Sequence, residues 1–149
     1  EIAISVAKLS QKVESWSVML EPMVSGGGEV VLGLTTDPSF GPLVMVGMGG
    51  IYVEILKDVA FRLAPLTNVD AETMVKSLRG YRILEGVRGE TPVHFPTLHE
   101  QLARLSALAL EFPEIIEMDI NPFLMFPEAE KCVAVDARIT LGQPGEVSP

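Results

Sequence analysis

Cysteine is almost absent: the chain has 149 residues and one Cys, Cys132. This excludes an intrachain disulfide, and because Cys132 lies in an apolar run it is expected to be a packed, reduced thiol of a cytoplasmic protein. Basic residues are also scarce, with 11 Lys and Arg against 20 Asp and Glu and a net charge of −9. Without a cluster of Lys and Arg to neutralise phosphates, general nucleic-acid binding is excluded. Long hydrophobic runs are missing too. The longest nearly uncharged stretch, 38–53, is interrupted by Gly41, Pro42, Gly47, Gly49 and Gly50. It falls short of the roughly 18 apolar residues of a spanning helix, and no signal peptide is visible, so no membrane partner is expected. There is no internal repeat. What the chain does have is apolar content, 48% of its residues, enough for one domain with a real core and too much for a disordered segment. It begins with Glu1 instead of Met, so it is expected to be a piece of a longer polypeptide that shares its function with another part.

The order of elements follows from periodicity. Ile2, Val6, Leu9 and Val13 recur at helical spacing. Trp16, Val18 and Leu20 alternate with polar neighbours in a strand ending at Pro22, the glycine turn 25–28 reverses the chain, and 29–36 reads as the returning strand. A turn over 37–42 leads to a strand at 43–46, and alternation at 51–56 predicts another. Thr67 with Asp70 forms a capping box for a helix from 68 to about 80 that turns Val69, Met74, Val75 and Leu78 inward. A loop follows over 81–95. Pro96 opens a second helix whose stripe is Leu98, Leu102, Leu105, Ala109 and Phe112. Strands at 115–120 and 132–141 close the domain, joined by a turn over 126–129, and 142–149 reads as a tail or linker. The sum is an α+β domain, mostly antiparallel sheet packed with two to three helices.

The chemistry concentrates in the last two strands. Strand alternation puts Glu117, Asp119 and Asn121 on one face, and Asp136 and Arg138 on one face of the partner with Val133, Val135 and Ile139 turned inside. Pairing about a turn centred between Pro127 and Glu128 sets Asp119 opposite Asp136 and Glu117 opposite Arg138. Two carboxylates about 4 Å apart at an effective dielectric near 20 repel by roughly 4 kcal/mol, which a cation or a shared proton would relieve. Oxygen-only ligands suit Mg²⁺ or Mn²⁺, with phosphate oxygens completing the shell, so a metal-bound nucleotide is indicated. Solvated strand-face acids are the equally simple alternative. Glu21, at the end of the first strand, and Glu29, after the triple glycine, are candidates for a heterocycle and a ribose, although such glutamates are more often plain surface residues. Gly47-x-Gly49-Gly50 lacks the order of a Walker loop or a dinucleotide fingerprint. Arg62 and Arg88 are the better placed of the free cations. His94, His99 and Cys132 read as surface or packing residues with no identifiable base beside them.

Taken in order, Glu29-Val-Val-Leu-Gly33, Asp37-Pro-Ser-Phe-Gly-Pro42, Gly49-Gly-Ile-Tyr-Val-Glu54, Asp58-Val-Ala-Phe-Arg-Leu-Ala-Pro-Leu66, Gly86-Val-Arg-Gly89, Phe112-Pro-Glu-Ile115, Asp119-Ile-Asn-Pro122 and Asp136-Ala-Arg-Ile139 resemble the ATP-grasp part of ADP-forming acyl-CoA synthetases, and more distantly the beta subunit of succinyl-CoA synthetase. The resemblance implies that 1–141 is the C-terminal ATP-grasp subdomain of an enzyme coupling an acyl-CoA thioester to ATP formation through an acyl phosphate and a phosphorylated histidine. It implies Asn121 and Asp136, with Asp119, as Mg²⁺ ligands and Glu21, Pro22, Met23 and Glu29 as nucleotide contacts; Arg62 and Arg88, from their apolar and glycine-bounded contexts, and Arg138, on the acidic strand face, are expected as the catalytic cations. Its implied partners are ATP or ADP, an N-terminal ATP-grasp lobe, and CoA-binding domains or a CoA-binding subunit in an oligomeric parent. Neither that lobe nor a phosphohistidine segment is recognisable here, so the chain alone is expected to be inactive. The alternative is a nucleotide- or acyl-CoA-sensing domain fused to a protein acetyltransferase.

Overall fold

The computed structural model describes residues 22–50, 57–87 and 89–142. The first helix and strand read from the sequence, the strand at 51–56, and the tail beyond Gly142 lie outside the described residues. The described strands are β1 (Gly28–Asp37), β2 (Gly41–Met48), β3 (Val59–Leu63), β4 (Ile115–Met125), β5 (Val133–Ala134) and β6 (Ala137–Leu141). They form one six-stranded sheet in the order β3-β2-β1-β4-β5, with β6 also paired to β4, and every pairing is antiparallel. The helices are α1 (Asn68–Ser77), α2 (Tyr81–Leu84) and α3 (Phe95–Glu111).

Local chemistry explains the boundaries. The β1–β2 hairpin turns where the Asp37 carboxylate accepts from the Ser39 and Phe40 N–H groups, at 2.8 and 2.9 Å, and where Gly41 takes φ +88°. Helix α1 begins with the expected capping box: Thr67 Oγ1 accepts from Asp70 N–H, and the Asp70 carboxylate accepts from Thr67 N–H at 2.9 Å. Helix α3 starts at His94, whose Nδ1 accepts from Thr97 N–H, so this histidine is a helix cap. Within the stretch read as a loop, Tyr81–Leu84 coils into the short α2. Strand β3 falls on Val59–Leu63, a segment to which the sequence pattern assigned no element.

The core lies on one face of the sheet. Val30 and Leu32 of β1 and Val44 and Val46 of β2 pack under Ala71, Met74 and Val75 of α1 and Leu98, Leu102 and Leu105 of α3, all buried. Each such large side chain contributes roughly 1.5–3 kcal/mol by leaving water. Two inward assignments fail: Val69 is 69% and Phe112 41% exposed. Val69 occupies the outer side of the first turn of α1, and Phe112 follows the last turn of α3, where the helical stripe no longer applies. None of the three described helices packs on the opposite face. There, register aligns Phe61, Met45, Gly33, Asp119 and Arg138 in one row across β3, β2, β1, β4 and β6. No described helix is long and apolar enough to cross a membrane.

Candidate functional site

The β4–β6 register differs by two residues from the sequence-based pairing. Asp119 stands opposite Arg138, and Glu117 opposite Thr140, with Ile120 opposite Ala137 and Phe123 opposite Ala134 on β5. The 3-10 turn Ala129–Lys131 takes up the residues that a tighter hairpin would have placed in the strands. The expected clash of Asp119 with Asp136 is therefore absent, and the repulsion argument falls with it. A different pair meets instead. Asn121 stands opposite Asp136, with Asn121 N–H donating to the Asp136 carbonyl at 3.1 Å and Val135 N–H to the Pro122 carbonyl at 3.0 Å. The backbone bond between them brings the two residues side by side, within reach of an ion that their side-chain oxygens could share. Asp119 lies two residues along β4, just before the register irregularity at Asn121–Pro122.

Asn121 and Asp136 are exposed, and none of Asn121, Asp119 and Asp136 joins an ion pair among the described residues. Asp119 and Arg138 are direct cross-strand neighbours that do not close on each other. No three His, Cys, Asp or Glu side chains among the described residues converge into a metal cage. The donor set is thus an amide oxygen and one or two carboxylates. That is too sparse for a structural cation and suited to one that also takes oxygens from a phosphate ligand, the habit of Mg²⁺. Val135 and Ile139, read as inside, are each 51% exposed: Val135 lies in the gap between β5 and β6, outside both strands, and Ile139 on β6 lies away from the α3 contact with β1 and β2.

Beside this pair the open face sinks into a depression of about 380 Å³ lined by Gly33, Thr35, Met45, Phe61, Glu117, Asp119 and Arg138. Gly33 makes its floor: a Cβ there would lie 2.8 Å from Met45 Cε. An isolated glycine within an apolar strand was the available signal for such a close approach.

A second depression, about 370 Å³, lies around Glu29 and is lined by Gly27, Gly28, Met48, Gly49, Gly50 and Ile83. Glu29, exposed at the start of β1, shares the face of Gly33 by strand alternation. Four residues of strand separate them, about 13 Å at 3.3 Å per residue. Pro22 and Met23 are exposed and precede this depression in the chain, whereas Glu21 and Arg88 lie outside the described residues. Arg62 does not join the site. It stands opposite the buried Val44, so it projects to the helical side, where its charge helps hold the Asp70 carboxyl below its usual range after the Thr67 hydrogen bonds.

The remaining candidates are accounted for structurally. Cys132 is half-buried, with Sγ 3.4 Å from Phe126 N. His99 is half-buried against Phe95, and burial holds its pKa below the ordinary value. Sequence reasoning gave Asp58 no role. It is buried, and its two carboxylate oxygens accept from Arg79 N–H at 2.8 Å and Gly80 N–H at 2.7 Å.

Known proteins resemble this chain over nearly its whole length. It is 44% identical over 143 residues to acetate–CoA ligase [ADP-forming] I of Archaeoglobus fulgidus, covering 96% of this chain and 21% of that one. It is 49% identical over 126 residues to the beta subunit of acetate–CoA ligase [ADP-forming] I of Pyrococcus furiosus, covering 85% of this chain and 53% of the subunit. The chain thus spans about a fifth of the first relative and half of the second. Among solved structures, the dinucleotide forming acetyl-coenzyme A synthetase 1 of Ca. Korarchaeum cryptofilum, in complex with coenzyme A and Mg-AMPPCP, superposes with a TM-score of 0.76 at 44% identity, over 80% of this chain and 55% of that one. The profile of the ATP-grasp domain matches residues 1–141, and the chain belongs to the ATP-grasp family.

Proposed function

We propose that residues 1–141 are the C-terminal lobe of the ATP-grasp unit of an ADP-forming acyl-CoA synthetase, which interconverts acyl-CoA, ADP and phosphate with the carboxylic acid, CoA and ATP. The observation that carries this is the approach of Asn121 on β4 to Asp136, in the gap between β5 and β6, through the bond from Asn121 N–H to the Asp136 carbonyl, beside the Asp119–Arg138 pair. Asn121 and Asp136, with Asp119 at the next position on β4, would hold Mg²⁺ or Mn²⁺. The ion would offset phosphate charge and align the phosphoryl group for in-line transfer. Arg138, next to Asp119 and unpaired with it, would stabilise charge on the transferring phosphoryl group. The Glu29 carboxylate would accept from the ribose hydroxyls, with Glu21, Pro22 and Met23 along the base and Arg88 as a further phosphate contact. Arg62, on the helical side of the sheet, has no part in this arrangement.

ATP-grasp sites close between two lobes, so the chain alone would not turn over. The other lobe, the CoA-binding domains and the histidine that carries phosphate would come from the rest of a cytoplasmic, oligomeric parent, with 142–149 as a linker. The test is an Mg²⁺ titration of the complete synthetase carrying Asp136→Ala or Asn121→Ala. Activity at limiting Mg²⁺ is expected to fall about 10–100-fold and to recover partly at high Mg²⁺. An unchanged Mg²⁺ dependence would remove both residues from the metal site.

A further inference from the structure

Asp58 lies away from every phosphate or metal contact proposed above, yet it is a buried carboxylate with both oxygens committed to backbone N–H groups, those of Arg79 and Gly80. Its own carbonyl accepts from Met48 N–H at 3.1 Å, at the end of β2. One residue therefore ties together the end of β2, the start of β3 and the turn that leads into α2. Two routes run from this tie to the depression around Glu29.

The first passes through side-chain volume. Gly80 sits so close to Met48 that a Cβ there would lie 2.6 Å from Met48 Cγ. Met48 is followed by Gly49, whose N–H donates to the Glu29 carbonyl at 2.7 Å. A Cβ at Gly49 would lie 2.6 Å from Glu29 Cβ, and one at Gly50, where φ is +62°, would lie 2.9 Å from Glu29 Oε2. The glycine corner thus backs both the main chain and the carboxylate of Glu29 with no slack between them. The second route passes through α2. Gly80 is the N-cap of that helix, and Ile83 of α2 lines the same depression.

We infer that Asp58 is a positioning residue for the nucleoside site: by fixing Arg79 and Gly80 it sets the Met48–Gly49 contact that orients Glu29 and the α2 turn that places Ile83. This rests on the reading of Glu29 as the ribose contact. A carboxylate that accepts two N–H bonds cannot be replaced by an amide of the same shape without turning an NH₂ toward one of those donors. Asp58→Asn therefore loosens the turn without leaving a cavity. Gly80→Ala displaces Met48 and enters the same relay from the other side.

The experiment measures KM and kcat of the complete synthetase for ATP and for 2′-deoxy-ATP in Asp58→Asn, Gly80→Ala, Glu29→Gln and the doubles with Glu29→Gln. Asp58→Asn and Gly80→Ala are each expected to raise KM for ATP about tenfold, the scale of one charge-assisted hydrogen bond, while changing KM for 2′-deoxy-ATP and kcat by less than about twofold. Neither is expected to add to the effect of Glu29→Gln in the double variant. If Glu29→Gln abolishes the preference for ATP while Asp58→Asn and Gly80→Ala lower only the melting temperature, the relay is overturned and the ribose role of Glu29 stands. If Glu29→Gln leaves the preference intact, the ribose role fails and the inference fails with it. Should Asp58→Asn not fold, Gly80→Ala decides by the same criteria.

Discussion

The two sides of β1 carry opposite kinds of information. Val30, Leu32 and Leu34 are buried and face the helical layer, whereas Glu29, Gly33 and Thr35, interleaved with them and with the buried Val31, look onto the other side, where the candidate site lies. The strand therefore packs the helical layer with one parity and, at Glu29, Gly33 and Thr35, borders the two depressions with the other, Val31 being buried between them. Substitutions on the first side should register in stability and those on the second in ligand binding, with little crossover.

The largest expected effect tests the helical side. Leu102→Ala, fully buried under the sheet, should lower unfolding free energy by about 2–5 kcal/mol in urea titrations, with no specific change in Mg²⁺ dependence. Next comes a pair of arginines separated by the sheet itself. Arg138→Ala should reduce phosphoryl transfer by about tenfold or more in the complete synthetase, whereas Arg62→Ala should stay within about twofold. Equal losses in kcat/KM would erase the division between the faces. Thr67→Ala removes the cap of α1 and should cost about 1 kcal/mol, read as a lowered melting temperature at unaltered KM.

The smallest effect is a pH dependence. Burial, reinforced by Lys76 and opposed by Glu72, holds the His99 pKa below the usual value near 6.5. The unfolded chain therefore binds the proton first as pH falls, so stability is full above about 6.5 and declines below it until the folded pKa is passed. His99→Gln should flatten that slope in denaturation measured between about pH 7 and 5. A slope unchanged by the substitution would place its origin elsewhere.

How much was legible follows the same division. Helix α1 with its capping box and the stripe of α3 depend on neighbours within one or two turns, so spacing alone found them. Strand β3 escaped because Val59–Leu63 is too short and too little bounded by turn residues to stand out, although it supplies the Phe61 wall of the Gly33 depression. The β4–β6 register was legible in periodicity and not in phase. Alternation grouped Glu117, Asp119 and Asn121 correctly on one face, but the length of strand absorbed by the Ala129–Lys131 turn is not written in local preference. The resemblance named Asn121 and Asp136 where the pairing arithmetic had named Asp119 and Asp136. Asp58 was invisible because its partners lie 21 and 22 residues away.

The break between β5 and β6 has an evolutionary consequence. Asp136 falls in the two-residue gap between Ala134 and Ala137, with pairing to β4 fixed on either side. Insertions in the connection 126–131 leave that pairing untouched, so its length is free to drift among descendants. One residue added between 134 and 137 would instead turn Asp136 to the helical side or push the following strand out of phase. Tolerance and intolerance to indels should thus change abruptly within a handful of codons.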